Sequence, residues 1–242
     1  MRALVTGAAS GIGRAVAEAL IARGIEVTAV DLDEESMRQA FGSEAQLLCA
    51  DLGDLEQRQT VCEAGRGCDY LVNAAGIIRL KPIAEITVDD WRDVMRTNAE
   101  STFFLCQQIG PTMPAGSAIV NLSSSAAKLS TTTEAAVYAA SKTAVLSLTR
   151  SFAYALAHIP VRVNAVCPFV IDTPMQEQVL ERVALARGMT AEALMRERNA
   201  TIPLGRSASP QELAGYIWFL LSSDAGYITG QSLNYGGGAV TW

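Results

Sequence analysis

The 242-residue chain is poor in histidine and lysine. It has one histidine, His158, and three lysines, Lys81, Lys128 and Lys142. One histidine excludes a histidine-rich metal centre and argues against a Ser–His–Asp triad, so no metal is expected. His158 lies just before an apparent strand over 161–166, where a structural role is expected. The five cysteines (Cys49, Cys62, Cys68, Cys106 and Cys167) are odd in number, scattered and free of any CxxC spacing. They read as reduced thiols of a cytoplasmic protein, mostly small apolar core side chains, with Cys68 fitting that description least well. No basic patch or arginine run accompanies the net charge of −6, so nucleic acid is not an expected partner. No uncharged apolar run approaches a membrane span, and the chain passes from Met1 directly into a strand, so neither a membrane segment nor a secretion leader is expected. Half of the residues are hydrophobic and 18% are charged, which suits one globular domain over 1–242 with a sizeable core. No repeat, linker or low-complexity tract is visible.

What is present begins with a short apolar strand over 2–6 (RALVT). A glycine turn, GAASGIG, with Gly7, Gly11 and Gly13, follows, then a helical pattern ended by Gly24. A second apolar strand over 25–30 ends at Asp31. Strand, glycine turn, helix, strand and acid is the βαβ layout that binds dinucleotides, although the spacing here is GxxxGxG. Glycines let the backbone approach a pyrophosphate, and the helix N-terminus offers it free N–H groups and a positive dipole end. An acid at the end of the second strand can hydrogen-bond ribose hydroxyls and repels a 2′-phosphate. Ser10, Leu32 and Asp33 supply no cation to welcome such a phosphate, so NAD is favoured over NADP.

Further strands are expected over 46–50, ending in Asp51–Leu52, and over 70–72, leading into NAAG at Asn73–Gly76. A short helix is expected near 54–64. A longer helix starts at Thr87 and runs to Gly110 with Asn98 inside it, a position unfavourable to asparagine. Asn98 is either a core amide bonded to backbone or a distortion that holds a water. A fifth strand over 117–122 leads to three serines, and an alanine-rich helix over about 135–157 carries Tyr138 and Lys142. Their i, i+4 spacing puts both side chains on one helix face. An ammonium beside a phenol stabilises the phenolate and lowers its pKa from about 10, giving an acid–base group, with Ser125 positioned to hold a substrate oxygen. A sixth strand over 161–166 precedes CPFVIDTPM. Gly7, Asp31, Asn73, Ser125 and Pro168 then fall at the carboxyl ends of the strands, where open α/β sheets bind ligands. Residues 174–200 read as an amphipathic helical pair broken near Gly188, either a substrate lid or a surface pair. Ser209–Pro210 caps a last helix, followed by a final strand.

In order along nearly the whole chain, TGAASGIG, Asp51–Leu52, NAAG, Asn98, Ser125, YAASK, PFVIDT and GQSLNYGGG resemble the short-chain dehydrogenase/reductase family. The resemblance implies a single α/β domain of Rossmann type, a doubly wound parallel sheet of order 3-2-1-4-5-6-7 with helices on both faces. It implies a nicotinamide cofactor and a small alcohol or ketone substrate, with Tyr138 as acid–base group. Lys142 is implied to lower the Tyr138 pKa and bind the nicotinamide ribose, Ser125 to orient the substrate oxygen, and Asn98 to anchor a relay water. Cofactor contacts are implied at Gly7, Ser10, Gly11, Ile12, Gly13, Asp31, Leu32, Asp51, Leu52, Asn73, Ala74, Ala75, Gly76, Tyr138, Lys142, Pro168, Ile171 and Thr173. A homotetramer is implied as well.

The chain departs from the family at Phe169, where glycine is usual; this residue either reshapes the nicotinamide pocket or packs beneath it. Arg79 and Lys128 sit where a substrate would approach, either to pair with an anionic group or as solvated loop charges. AAGIIRL and DTPMQ are similar to the corresponding stretches of bacterial 2,3-dihydro-2,3-dihydroxybenzoate dehydrogenases. Sugar and polyol dehydrogenases and 3-oxoacyl reductases share the same frame. The expected activity is NAD-dependent interconversion of a small secondary alcohol (a cyclic diol, a sugar or polyol, or a hydroxy acid) and its ketone. An NADPH-dependent 3-oxoacyl reductase and a non-catalytic nucleotide sensor on the same fold are the alternatives.

Overall fold

Short strands of mostly apolar residues alternate with helices, and each strand sends successive side chains to opposite sheet faces. In the computed structural model, which describes residues 1–129 and 134–242, seven such strands form one sheet. They are β1 (Arg2–Thr6), β2 (Glu26–Asp31), β3 (Ala45–Cys49), β4 (Tyr70–Asn73), β5 (Ala118–Leu122), β6 (Arg162–Pro168) and β7 (Ser232–Tyr235). The order is β3-β2-β1-β4-β5-β6-β7, and all pairs are parallel. The order reverses between β1 and β4, so the loops after these strands diverge and leave a crevice at their carboxyl ends.

Alternation along β1 shows how the two faces are filled. Ala3 and Val5 join one core with α1 (Gly11–Ile21), α2 (Glu34–Phe41) and α9 (Pro210–Leu221). Leu4 joins the other, with α3 (Leu55–Ala64), α5 (Ser101–Ile109) and α6 (Ala136–Leu156). Helix α4 (Val88–Met95) precedes α5, while α7 (Pro174–Arg187) and α8 (Ala191–Ala200) form a pair before α9. That pair has its own small apolar cluster, Leu180, Ala184 and Leu194, apart from the two main cores.

The expected sheet order and caps are present. Thr87 and Asp90 make a reciprocal capping box at α4, as do Ser209 and Glu212 at α9, where Pro210 occupies the first turn. Gly188 ends α7 in the left-handed conformation, at the expected break. Two features differ from the sequence reading. Helix α2, capped by Asp33, was not anticipated, because three of its eight residues are charged and only Met37 and Phe41 are buried. The long helix expected from Thr87 to Gly110 is interrupted by a π-helical turn, Arg96–Glu100, in which the Ser101 N–H donates to the Arg96 carbonyl. One extra residue in the turn swings Asn98 inward to complete burial.

Candidate active site

A cavity of about 500 Å³ opens at the carboxyl ends of β1, β2, β4 and β5. Its nucleotide end is made chiefly by backbone. Gly7 has φ +69°, and a Cβ there would lie 2.8 Å from the Ala75 nitrogen. A Cβ on Gly13 would run into the Gly7 carbonyl oxygen, so the loop closes only with glycine at both places. Thr6, at the end of β1, fixes this approach: its hydroxyl accepts from the N–H groups of Ala74 and Ala75, both at 3.1 Å. Asp31 closes the β2 side, accepting from Ala9 N–H at 3.0 Å and Asp33 N–H at 3.2 Å. Asp51 accepts from Gly53 N–H at 2.7 Å. Ser10, Gly11, Ile12, Leu32, Leu52, Ala74 and Gly76 also line the cavity, and Thr173 packs beside Gly11. A backbone cradle that a Cβ would fill, beside a helix N-terminus, fits a dinucleotide. Asp31 at the β2 end suits its ribose.

The reaction end is made by side chains. Tyr138 and Lys142, one turn apart on α6, both line the cavity, and the Lys142 ammonium lies 5.8 Å from the Tyr138 ring centroid. Lys142 is buried and donates to the Leu122 carbonyl at 2.8 Å. Burial drives its pKa down to about 8. Burial also raises the Tyr138 phenol above its ordinary value, and a hydrogen bond with the Ser124 side chain pulls it partly back. This corrects the expected direction for Tyr138. Burial is the largest influence on the phenol, and the Lys142 ammonium donates to a carbonyl instead.

The three serines have separate contacts. Ser123 donates to the Lys142 carbonyl at 2.8 Å and ties the end of β5 to α6. Ser124 accepts from Ala126 N–H at 3.1 Å and is the serine that hydrogen-bonds Tyr138. Ser125 is buried at the start of the short turn Ser125–Ala127. The serine at the phenol is therefore Ser124, one residue before the expected Ser125. The chain turns immediately after Leu122, and three identical residues give the sequence no phase to read.

Asn98 is a strut. Its Oδ1 accepts from Ile77 N–H at 2.8 Å, while Nδ2 donates to the Ile77 carbonyl at 2.9 Å and the Ser141 hydroxyl at 3.0 Å. A Cβ on Gly76 would lie 3.2 Å from Lys142 Nζ and 3.3 Å from Asn98 Oδ1, so Asn98, Gly76 and Lys142 pack as a unit. These side-chain contacts are those of a core amide bonded to backbone, one of the two readings of Asn98.

Several expected contacts lie off the cavity. Asn73 turns into the core, donating to Asn121 Oδ1 at 2.8 Å. Ile171 is buried in the α1/α9 core and bridges to Ala208, and Pro168 is buried at the end of β6. Phe169 packs against Gly236, where a Cβ would lie 3.1 Å from the phenylalanine Cβ. Lys128 donates to the backbone oxygens of Ser232 at 2.9 Å and Trp242 at 3.1 Å. Arg79 does line the cavity and is exposed.

Thr6, Asp93, Arg96, Thr97, Ile77 and Met175 were not read as site residues. All but Thr6 line the cavity; Asp93, Arg96 and Thr97 share one helical face at i, i+3, i+4, the signal that could have found them. Cys62, Cys68, Cys106 and Cys167 are buried and Cys49 is exposed, and burial pushes the Cys68 thiol up to about 12. Among the described residues no cluster of histidine, cysteine and acidic side chains could hold a metal, and no helix is long and apolar enough to cross a membrane.

A parallel sheet that reverses at β1/β4, a glycine cradle, and a tyrosine–lysine pair on α6 beside a serine define a nicotinamide-dependent oxidoreductase fold. The chain belongs to the short-chain dehydrogenase/reductase family. Residues 7–240 match the family model described as enoyl-(acyl carrier protein) reductase. D-threitol dehydrogenase from Mycolicibacterium smegmatis is 36% identical, over 98% of this chain and 91% of its own. Galactitol 2-dehydrogenase from Agrobacterium fabrum is 35% identical, over 98% of this chain and 96% of its own. The crystal structure of a point variant of actinorhodin polyketide ketoreductase with NADPH superposes with TM-score 0.91 at 31% identity, covering 100% of this chain and 97% of that one. The chain is thus an oxidoreductase related to alcohol and polyol dehydrogenases.

Proposed function

We propose that the protein interconverts a secondary alcohol of a small polyol or sugar and its ketone, with NAD as cofactor. The observation that carries the reading is the placement of Tyr138, hydrogen-bonded to Ser124, and Lys142 at one end of a cavity whose other end is the glycine cradle closed by Asp31. The bound nicotinamide supplies hydride transfer at a carbon, and this chain's residues handle the oxygen and its proton. Tyr138 Oη exchanges the proton with the substrate oxygen. Its raised pKa keeps it protonated at neutral pH, suited to donating in ketone reduction. In alcohol oxidation it must first give its proton up, and the nearby Lys142 charge supports the phenolate. Ser124 holds the substrate oxygen against Tyr138, while Asn98 and Gly76 fix the loop that faces Lys142.

Asp31 favours NAD by repelling a 2′-phosphate. The likeness to a ketoreductase solved with NADPH makes a 3-oxoacyl reductase the second reading. The relatives named for threitol and galactitol favour polyols. We assign α7 and α8 as a substrate lid, since Pro174 and Met175 of its first turn line the cavity while its own apolar cluster is separate from the main cores. Four of five thiols are buried and unpaired, which suits a cytoplasmic protein. A homotetramer accords with the family.

Rates with threitol, galactitol and sorbitol in NAD, and in NADP in parallel, test the reading. Turnover of at least one polyol, at least about tenfold faster in NAD, is expected from a single repelled phosphate. Preference for NADPH with a 3-oxoacyl thioester would favour the second reading, and NADH binding without any turnover would favour a sensor.

A further inference from the structure

We infer that the substrate carries an anionic group, a carboxylate or a phosphate monoester, received by Arg79. This inference rests on the dehydrogenase reading above and specifies its substrate class. Arg79 lies three residues past Gly76 in the cavity wall, exposed, with no hydrogen-bond or ion-pair partner among the described residues. Its backbone, by contrast, is fixed on both sides. Both backbone polar groups of Ile77 are held by Asn98, and Leu80 is buried. Lys81 donates its N–H to the Glu134 carbonyl at 3.0 Å and its ammonium to Asp90 at 2.6 Å. The contact with Glu134 places this segment beside the start of α6, the helix that bears Tyr138, so Arg79 stands at the reaction end.

Nearby cations are already engaged. Lys142 is bound to Leu122, Lys128 to the backbone of Ser232 and Trp242, and Arg96 to Asp93 at 3.2 Å. The acids of the cavity are engaged as well. Asp31 and Asp51 accept from backbone at the nucleotide end, and Asp93 pairs with Arg96. A guanidinium held on an anchored backbone and left unpaired in the cavity wall is a fork for two oxygens of one anion. The cofactor's pyrophosphate has its own cradle at Gly7–Gly13, on the β1 side, and does not need this arginine.

The experiment compares wild type, Arg79→Gln and Arg79→Lys with three probes that share a polyol chain: sorbitol, gluconate and sorbitol 6-phosphate. NADH affinity is measured separately by fluorescence. The expected result is that one anionic probe beats sorbitol in kcat/KM by at least about tenfold, the scale of one charge-assisted hydrogen-bond pair. Arg79→Gln should raise KM for that probe about tenfold while leaving kcat, sorbitol kinetics and NADH affinity unchanged, and Arg79→Lys should restore part of the loss. An advantage confined to gluconate identifies a sugar acid, and one confined to sorbitol 6-phosphate a phosphorylated polyol; either supports the inference. Equal losses on all three probes overturn it, as do a loss confined to NADH affinity and a preference for sorbitol that Arg79→Gln leaves intact. Failure to bind NADH, or NADH binding without turnover of any probe, overturns the dehydrogenase reading and this inference with it.

Discussion

At the nucleotide end of the cavity the wall is chiefly backbone, packed on backbone or held by a short side chain: Gly7 against Ala75, the Thr6 hydroxyl under Ala74, the Asp31 carboxylate on two N–H groups. At the reaction end it is side chains held by side chains and carbonyls: Tyr138 by Ser124, Lys142 by Leu122, Asn98 by Ser141. The first kind of wall tolerates one residue type at each critical place, because added atoms collide with the main chain. The second depends on which way a side chain leaves the chain, and a one-residue shift changes the chemistry. The nucleotide end is therefore built to bind and the reaction end to be tuned.

Two substitutions at the reaction end sharpen that contrast. Ser124→Ala should lower kcat by roughly 10²-fold, the scale for losing one aligned hydrogen-bond donor at a reacting oxygen. Ser125→Ala should stay within about threefold of wild type, and neither should shift NADH affinity. Steady-state kinetics with fluorescence titration check both, and a larger loss at Ser125 would restore the assignment expected from sequence. The smaller effect is on stability. Lys142 is charged in the unfolded chain up to its ordinary pKa of 10.5 but only to about 8 when folded. Below pH 8 both states hold the proton and the full cost of burying the ammonium opposes folding. Between about 8 and 10.5 the folded state releases it first, so stability rises with pH. Lys142→Met should therefore raise the Tm by roughly 2–4 °C at pH 7, with the gap closing as pH rises through that window, while abolishing turnover. Calorimetry across pH follows this, and a gap that widens above pH 8 would contradict the burial argument.

The same contrast decides what was legible in the sequence. Apolar runs and glycine turns announced the strands, and their order followed from the family resemblance, because β1 through β7 are short and separated by strong punctuation. Gly7, Gly13 and Asp31 were legible because sterics and charge leave them few alternatives. Helix α2 was missed because it is short, charged in three of its eight residues and buried at only two. Ser124 was missed because Ser123–Ser125 are identical and their contacts depend on where β5 ends. Lys128 could not be separated from Arg79 by sequence, since its partners Ser232 and Trp242 lie far along the chain. The directions of the Tyr138 and Lys142 shifts depend on burial, which an i, i+4 spacing does not report.

The most direct test of a binding end separable from a reacting end is to measure turnover and NADH affinity together for wild type and Tyr138→Phe. Loss of the acid–base group should cost roughly 10²–10⁴-fold in kcat, with NADH affinity held within about twofold because its cradle is backbone. Turnover retained by Tyr138→Phe, or affinity lost in step with turnover, would contradict the account.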